Sequence, residues 1–459
     1  MEKIIDQLIA HCQNAKYENL DPETIEAAKL RLIDVIGCAI AGSRSSSAGI
    51  LLDVLSNWGG REEASVFGST KKYPIALAAM VNSVMSRAYD YEVSGLNIEG
   101  KLIASHISGT TVPTAVSMAE SCGASGKDLI LALVVADDIT SRIHAASGYN
   151  LDSGWDCTGT VNAFGAVAIA GRFMKLTNEE LLNAMGIVLN QLAGSFQCIY
   201  DGVHAFVLAQ GLSAKNGIFS AQLAKKGFTG VRDFLFSRFG FFRLYGGDLD
   251  VEILTKNLGR KYYADVRFKP YPSCGGNDAA INCALNIRRH HEIKPGEISE
   301  IILSVTPWVR DSFVGQEFRL GPFPFGSACF NLAYTVASAL IRGNSNLENF
   351  TDEKISAPEV SNLTGKVKIR GNLAAEKGRR ATGVTVVMDN GDLLEEYMDA
   401  PHGDPLEKPL NRSVIEDKFR RNVAFAEYLK PKIAESLLDT INTIDQLNDC
   451  HRITEQMAG

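Results

Sequence analysis

The sequence lacks the cysteine pairs that hold a disulfide framework or a zinc site. Its nine cysteines are scattered and odd in number, and no two stand in a Cys-x-x-Cys arrangement. We therefore expect reduced thiols and a cytoplasmic protein. A metal site is not expected either, because His290 and His291 are adjacent and point to different helix faces. His144 and Cys157 have no partner at ligand spacing.

Long apolar runs, basic character and phosphate-binding loops are also missing. No stretch of 18 apolar residues is free of charge, so no membrane span is expected. The 53 acidic residues outnumber the 46 lysines and arginines, which argues against a nucleic-acid partner. The glycine-rich stretches match neither a P-loop nor a dinucleotide fingerprint. A small anionic substrate remains possible, because a local cationic pocket can lie within an acidic protein.

Helical periodicity fills the first 260 residues and returns after residue 412. Asp21-Pro22 has the form of a helix start, as does Thr177 three residues before Glu180. Between these parts, residues 298–305 and 365–370 are rich in β-branched residues, and 381–398 form a hairpin pattern around Asn390-Gly391. The pattern predicts a mainly α protein with a large all-helical domain and a smaller α+β domain. We place the boundaries at 1–262 with 405–459, and at 263–404.

One segment, residues 88–120, carries the residue types of proton-transfer chemistry. Asp90, Glu92, Ser94 and His106 lie there in a loop-like stretch between two apolar runs. A hydroxyl, two carboxylates and an imidazole can together hold and move a proton. The alternative interpretation is a polar turn with a surface histidine.

Six blocks of sequence, in this order along the chain, resemble the MmgE/PrpD family. They are residues 31–42, 88–113, 154–176, 217–230, 268–288 and 330–343. The family includes 2-methylcitrate dehydratase, cis-aconitate decarboxylase and iminodisuccinate epimerase. The resemblance implies a helical domain built from both chain ends, an α+β lid domain and a homodimer. It also implies a small carboxylic acid as substrate and no metal or organic cofactor.

The resemblance also implies a site between the two domains. The residues that match the family's site are Asp90, Ser94, His106, Lys269 and Tyr334. His106 would be base or acid, Lys269 would hold a carboxylate, Tyr334 would donate a hydrogen bond, and Asp90 would orient a donor or act as base. Each also has a structural interpretation: Lys269 as a solvated loop lysine, Tyr334 as a core residue and Asp90 as a helix cap.

The sequence departs from the family where cations or histidines are usual. Asp156 stands where the family's GWHPT motif has histidine, and Phe206 stands where a KRLHPG motif has its lysine. His204 lies two residues before Phe206, and Asn277 and Asp278 fall in a stretch that usually runs from arginine to histidine. A lost cation beside a carboxylate removes about 1.5–3 kcal/mol. We expect these substrate-binding positions to favour a less anionic ligand than 2-methylcitrate, such as a monocarboxylate or an acid with an amine or amide.

Three functions remain open at this point. The first is a cofactor-independent lyase, either a dehydratase or a decarboxylase. The second is an isomerase or epimerase that uses the same proton chemistry, and solvent deuterium would enter its substrate without loss of water or CO₂. The third is a non-catalytic family member, which the altered positions Phe206 and Asp156 favour and the retained His106 and Lys269 do not.

Overall fold

Helices make up most of the computed structural model, which describes residues 2–374 and 381–458. The α-helices before residue 250 are Glu2–Asn14, Pro22–Gly42, Ser46–Ser56, Ile75–Arg87, Ser108–Cys122, Gly126–Ala146, Asn162–Phe173, Asn178–Val188, Gln197–Tyr200, Ala205–Lys225 and Phe241–Tyr245. Those after it are Asp278–His290, Pro307–Asp311, Pro324–Cys329, Leu332–Arg342, Asp352–Ile355, Pro358–Thr364, Arg412–Ala426, Pro431–Asn442 and His451–Met457. The mainly α class with a smaller α+β part is confirmed.

Two of the helix starts predicted from the sequence carry the expected caps. The carboxylate of Asp21 accepts a hydrogen bond from the backbone N–H of Thr24, the third residue of the helix Pro22–Gly42. Thr177 and Glu180 form a reciprocal capping box at the next predicted start. Local side-chain chemistry therefore fixes where these helices begin.

The first part of the chain is not free of strands, which differs from the all-helical prediction. Strands β1 (Ala64–Ser65) and β2 (Lys72–Tyr73) pair, and β3 (Ser94–Ile98) lies between β4 (Lys101–Ile103) and β5 (Asp265–Arg267) in an antiparallel sheet. Glu99 and Gly100 connect β3 to β4 with φ angles of 51° and 80°. Two successive positive φ values are typical of a tight hairpin turn. The sequence analysis did not predict this hairpin, because the composition of the segment is that of a loop.

The middle of the chain contains a four-stranded mixed sheet. Its strands are β6 (Ile298–Val305), β7 (Val367–Gly371), β8 (Thr382–Met388) and β9 (Leu393–Met398), in the order β7-β6-β8-β9. The β6–β7 pair is parallel and the other pairs are antiparallel. The predicted hairpin is confirmed, and Gly391 takes the positive φ that its turn requires.

The apolar pattern of residues 327–341 predicts a single helix, but the structure has two helices there. Pro324–Cys329 ends before Asn331, whose side chain accepts a hydrogen bond from the backbone N–H of Tyr334 and starts Leu332–Arg342. Asparagine favours a cap over a helix interior because its side chain competes for backbone hydrogen bonds.

The buried side chains form two large hydrophobic cores. The first combines helices from the first 260 residues with side chains from Ile415 to Met457, so the last helices pack back onto the beginning of the chain. The second surrounds the β6–β9 sheet and also takes in Phe196, Ile199 and Phe206. We propose that each core marks one domain, and the boundaries near residues 262 and 405 stay a prediction.

No single helix in the described ranges is both long enough and apolar enough to cross a membrane. The helices Pro22–Gly42 and Ser46–Ser56 meet the length and composition together, but they are bent by 76° at their junction.

Candidate active site

A cavity of about 820 Å³ opens between the two cores. This volume lies in the range that small-molecule sites usually occupy. Five of the residues singled out from the sequence line it: Asp90, Ser94, His106, Asp156 and Lys269. They come from distant parts of the chain, so the fold brings chemistry-bearing groups together around one space.

Arg87 lies at the centre of the polar side of this cavity. It is the last residue of Ile75–Arg87, and only 2% of its side chain is exposed. Its Nη1 donates to Asp90, lies 3.2 Å from Oε1 of Glu92, and reaches both ring nitrogens of His106 at 2.8 and 2.9 Å. Burial alone would lower the pKa of Arg87, but the two carboxylates outweigh it and raise the pKa. The guanidinium therefore stays charged.

Glu92 orients the ring of His106. Its Oε1 lies 2.9 Å from Nδ1 of His106, and Glu92 is fully buried. If Nδ1 carries the proton and donates it to this carboxylate, Nε2 is the ring nitrogen with a lone pair, and it accepts from Arg87. Burial lowers the pKa of His106 first, and the charge of Arg87 lowers it further against the opposing effect of Glu92. His106 is therefore neutral at pH 7 and can accept a proton.

Asp90 and Lys269 form a buried ion pair at the cavity wall. Nζ of Lys269 lies 2.7 Å from Oδ2 of Asp90 and also donates to the Asp90 backbone carbonyl. Burial raises the pKa of Asp90, but Lys269 and Arg87 outweigh it and leave the pKa below its usual value. Asp90 has a φ of 44°, a left-handed conformation that costs free energy in a non-glycine residue. The ammonium of Lys269 binds both the backbone carbonyl and the carboxylate of Asp90, and these two bonds stabilise this conformation.

The segment that follows Asp90 is held in place by contacts from the last part of the chain. Lys418, in the helix Arg412–Ala426, donates to the backbone carbonyl of Tyr91 at 2.5 Å and lies 2.7 Å from Oδ1 of Asp34. The other oxygen of Asp34 accepts the backbone N–H of Val93 at 2.7 Å. The hydroxyl of Tyr91 donates to the carbonyl of Pro270. These hydrogen bonds connect the segment after Asp90 to the helix Arg412–Ala426 and to Pro270, the residue that follows Lys269.

A second buried carboxylate holds the backbone on both sides of His106. Asp265, in β5, accepts from the hydroxyl of Ser105 and from the backbone N–H of Ser108. The carbonyl of His106 accepts from Asn162 at 2.8 Å. Burial raises the pKa of Asp265 to about 7, although both hydrogen bonds lower it. Hydrogen bonds from Asp265 and Asn162 therefore hold the backbone at His106 and on both sides of it.

Arg267 and Arg87 were not predicted as site residues, and Glu92 was named only as one of the polar residues of the segment 88–120, without a role in the site. Arg267 lines the cavity, pairs across the sheet with Ser94, and its Nη2 lies 2.6 Å from Oδ2 of Asp278. The one sequence signal was position, because Arg87 and Glu92 flank Asp90 and Arg267 lies two residues before Lys269. Sequence alone could not separate these charges from ordinary surface charges.

Comparison with known proteins fits this architecture. Residues 6–254 match the model of the MmgE/PrpD N-terminal domain, and residues 271–443 match that of the MmgE/PrpD C-terminal domain. The chain belongs to the MmgE/PrpD family. The cis-aconitate decarboxylase-like protein oryM of Aspergillus oryzae is 24% identical over 93% of this chain and 89% of its own. A cis-aconitate decarboxylase of Aspergillus terreus is 23% identical over 98% of this chain and 95% of its own. These MmgE/PrpD relatives carry the names of lyases.

The position that matches the MmgE/PrpD tyrosine does not reach the cavity, contrary to our expectation. Tyr334 is fully buried, its hydroxyl donates to the carbonyl of Asn349 at 3.1 Å, and its ring packs against Phe318. The prediction that Tyr334 lines the cleft is therefore wrong, because its helix turns the ring into the second core. The interpretation as a core residue with a satisfied hydroxyl describes it correctly.

The positions at which this chain departs from the MmgE/PrpD pattern differ in whether they reach the cavity. Asp156 lines the cavity, whereas Phe206 lies behind it, with its ring centroid 5.4 Å from the guanidinium carbon of Arg87. His204 does not reach the cavity, because it stacks on Phe323 at 3.9 Å and contacts Ser46. It therefore does not replace the missing cation.

Asn277 and Asp278 act on the cavity only through neighbours. The side-chain amide of Asn277 donates to the carbonyl of Cys329 at 3.0 Å, and Asp278 holds Arg267. Neither lines the cavity, so direct substrate contact at these two positions is not supported. The catalytic and binding roles of the remaining residues stay predictions.

Three of the site residues have the chemistry of metal ligands. Ligand atoms of Asp90, Glu92 and His106 lie within 4.8 Å of one another. Nη1 of Arg87, however, contacts all three. A positive group of the protein already neutralises this trio, so the donor set fits a guanidinium better than a second cation.

Proposed function

We propose that the protein is a lyase, either a dehydratase or a decarboxylase, that moves a proton at a carbon next to a carboxylate. The observation that carries the proposal is the convergence of His106, Lys269, Asp90 and Arg87 on one cavity. A carbon acid of this kind needs a positioned base and cations that stabilise the developing enediolate. The lyase class is taken from the names of the relatives.

In this mechanism His106 is the base and Arg87 is the group that exposes it. Nε2 of His106 lies 2.9 Å from Nη1 of Arg87. A substrate carboxylate that binds Arg87 would compete for this contact and leave the lone pair of Nε2 open to the substrate C–H. Glu92 would then stabilise the imidazolium that forms, as a carboxylate does for a histidine base in other enzymes.

The same base serves both kinds of lyase. In a dehydration, the proton leaves the carbon, the electron pair forms the double bond and hydroxide departs from the neighbouring carbon. In a decarboxylation, the C–C electron pair stays on the carbon as CO₂ leaves, and a proton that His106 has first taken up from solvent is donated to that carbon. Lys269 and Arg267 line the cavity as cations for a carboxylate or enediolate.

We propose further that 2-methylcitrate and cis-aconitate are poor substrates. Among the described residues that line the cavity, seven carboxylates face five lysines and arginines. The cations nearest the centre are already paired with Asp90, Glu92 and Asp278. A tricarboxylate would meet no excess of positive charge, and each unmatched carboxylate loses about 1.5–3 kcal/mol of charge-assisted hydrogen bonding.

The test is hydrogen exchange from solvent into a panel of small carboxylic acids. The purified protein is incubated in D₂O with each acid, and NMR follows the loss of the proton next to the carboxylate. His106→Ala should lower the rate about 10²- to 10⁴-fold if His106 is the base. Unchanged rates in both His106→Ala and Lys269→Ala would reject the proposed roles.

Product analysis of the same samples separates the reaction classes. Release of CO₂ or formation of a double bond identifies a lyase. Deuterium uptake with neither product identifies an isomerase or epimerase that uses the same base. Rapid turnover of 2-methylcitrate or cis-aconitate would contradict the charge argument and leave the family assignment unaffected.

A further inference from the structure

One carboxylate oxygen in the cavity wall has no partner in the described part of the chain. Asp156 lines the cavity and is only 2% exposed. Its Oδ1 accepts the backbone N–H of Thr158 at 2.9 Å and so caps the turn that follows. Its Oδ2 makes no hydrogen bond to any described residue. A buried carboxylate oxygen without a donor is costly, so this oxygen calls for a ligand group.

The nearby cation Arg87 does not fill that need. The charge of Asp156 acts on Arg87, but the hydrogen bonds of Arg87 go to Asp90, Glu92 and His106. The carboxylate of Asp156 is thus held in place by a backbone cap while its second oxygen stays open. This is the arrangement expected of a group that receives a donor from outside the chain.

Two arginines that line the same cavity each have a buried N–H group without a partner in residues 2–374 and 381–458. The Nε–H groups of Arg87 and Arg267 are buried and have no partner among the described residues. We propose that the cavity binds an amino acid, with its carboxylate on Arg87 and Arg267 and its ammonium group on Oδ2 of Asp156. This assignment names the substrate class for the proposed function and rests on it for the identity of the cavity.

The charge of the cavity favours an ammonium over a neutral donor. A hydroxyl or amide could satisfy the hydrogen bond of Oδ2, but not the charge of Asp156. Carboxylates outnumber cationic side chains among the described residues of the cavity wall, and Asp248, Asp250 and Glu252 extend the negative side. Fields of this sign raise the local concentration of cations. A group with a positive charge and three N–H donors therefore fits best.

The experiment compares acids that differ only in the amino group. Calorimetry measures binding of alanine and propionate, aspartate and succinate, and phenylalanine and 3-phenylpropionate. In at least one pair the wild-type protein should bind the amino acid ten-fold or more tightly. Asp156→Asn should abolish that preference, because the amide keeps the cap to Thr158 and loses the charge. Asp152→Asn removes an exposed carboxylate four residues earlier and should leave the preference unchanged.

Several results would overturn the assignment. They are the absence of any preference for the amino acid in all three pairs, a preference that survives in Asp156→Asn, and equal binding of malate and aspartate. The last result would show that a neutral donor suffices. Binding of the deamino acids to Asp156→Asn shows that the variant is folded, so loss of preference cannot be confused with loss of structure.

The outcome is separate from that of the proposed function. A wild-type protein that prefers amino acids but exchanges no proton next to their carboxylate keeps this assignment and rejects the chemistry. A protein that exchanges protons of carboxylic acids without any preference for an ammonium group keeps the chemistry and rejects this assignment.

Discussion

Replacing Glu92 by glutamine should slow proton transfer at His106 while the protein stays folded. Glu92 is fully buried, and its Oε1 lies 2.9 Å from Nδ1 of His106 and 3.2 Å from Nη1 of Arg87. A hydrogen bond between a carboxylate and an imidazolium is worth about 1.5–3 kcal/mol. If this stabilisation develops as His106 takes up the substrate proton, its loss lowers the exchange rate about 10- to 150-fold.

The same substitution should move the pH dependence in a defined direction. Burial and Arg87 lower the pKa of His106, and the charge of Glu92 opposes them. A base must be unprotonated, so activity of the wild-type protein should rise with pH through a midpoint below 6.5. Without the carboxylate of Glu92 the pKa falls further, and the midpoint should shift to lower pH.

The assay is exchange of deuterium into an active acid, followed by NMR from pH 5 to 9. Glu120→Gln is the matched control, because Glu120 is a buried carboxylate that binds Ser65 and Lys72 outside the cavity. It should change stability and leave the midpoint in place. A Glu92→Gln variant with an unmoved midpoint, or a shift of equal size in the control, would refute the role of Glu92.

Four further predictions concern the Lys269–Asp90 ion pair, the titration of Asp265, the effect of a chelator and the oligomeric state. Lys269→Met should lower the free energy of unfolding by about 3–5 kcal/mol in urea titrations, because it leaves Oδ2 of Asp90 buried without the cation that pairs with it; adding Asp90→Asn should restore part of the loss. The pKa of Asp265 is raised by burial to about 7, so the folded state holds this proton more tightly than the unfolded state does. Wild-type stability should therefore fall by about 3 kcal/mol as the pH rises from about 4 to 7, and Asp265→Asn should remove this slope in denaturation curves at several pH values. A chelator should leave the exchange rate unchanged, since Arg87 contacts the donors that a metal would need; inactivation by chelator, reversed by one added metal, would contradict this. Light scattering should give the mass of two chains, because the family resemblance implies a homodimer, and a monomer at working concentration would contradict that expectation.

Regular local patterns carried most of the fold prediction. The alternation in β6 and the Asn390-Gly391 turn were sufficient because strand periodicity and turn chemistry act over a few neighbours. The caps at Asp21 and Thr177 worked for the same reason. The hairpin β3–β4 was not predicted from the sequence. The five-residue strand β3 contains a glycine, and the turn contains Glu99, a residue type that rarely takes a positive φ.

The candidate site was predictable in part. The residue types of the segment 88–120 indicated Asp90, Ser94 and His106, the resemblance added Lys269, and all four line the cavity. Arg87 could not be named, because only tertiary pairing distinguishes a buried arginine from a solvated one. Tyr334 was misplaced for a related reason: the direction of its ring depends on how its helix rotates against the second core, which no local pattern encodes.

The bond from Lys418 to the segment after Asp90 has a consequence for the order of biosynthesis. Lys418 lies 327 residues after Tyr91, whose carbonyl it binds, and it supplies the charge that balances Asp34. At about 5–20 residues per second, the ribosome delivers this ammonium about 15–65 s after the loop it holds. By the end of that interval every described residue that lines the cavity has been made, since the last is Leu406. Translation stopped between Leu406 and Lys418 would thus yield a chain that has all the cavity-lining residues but lacks the ammonium that binds the Tyr91 carbonyl and Asp34.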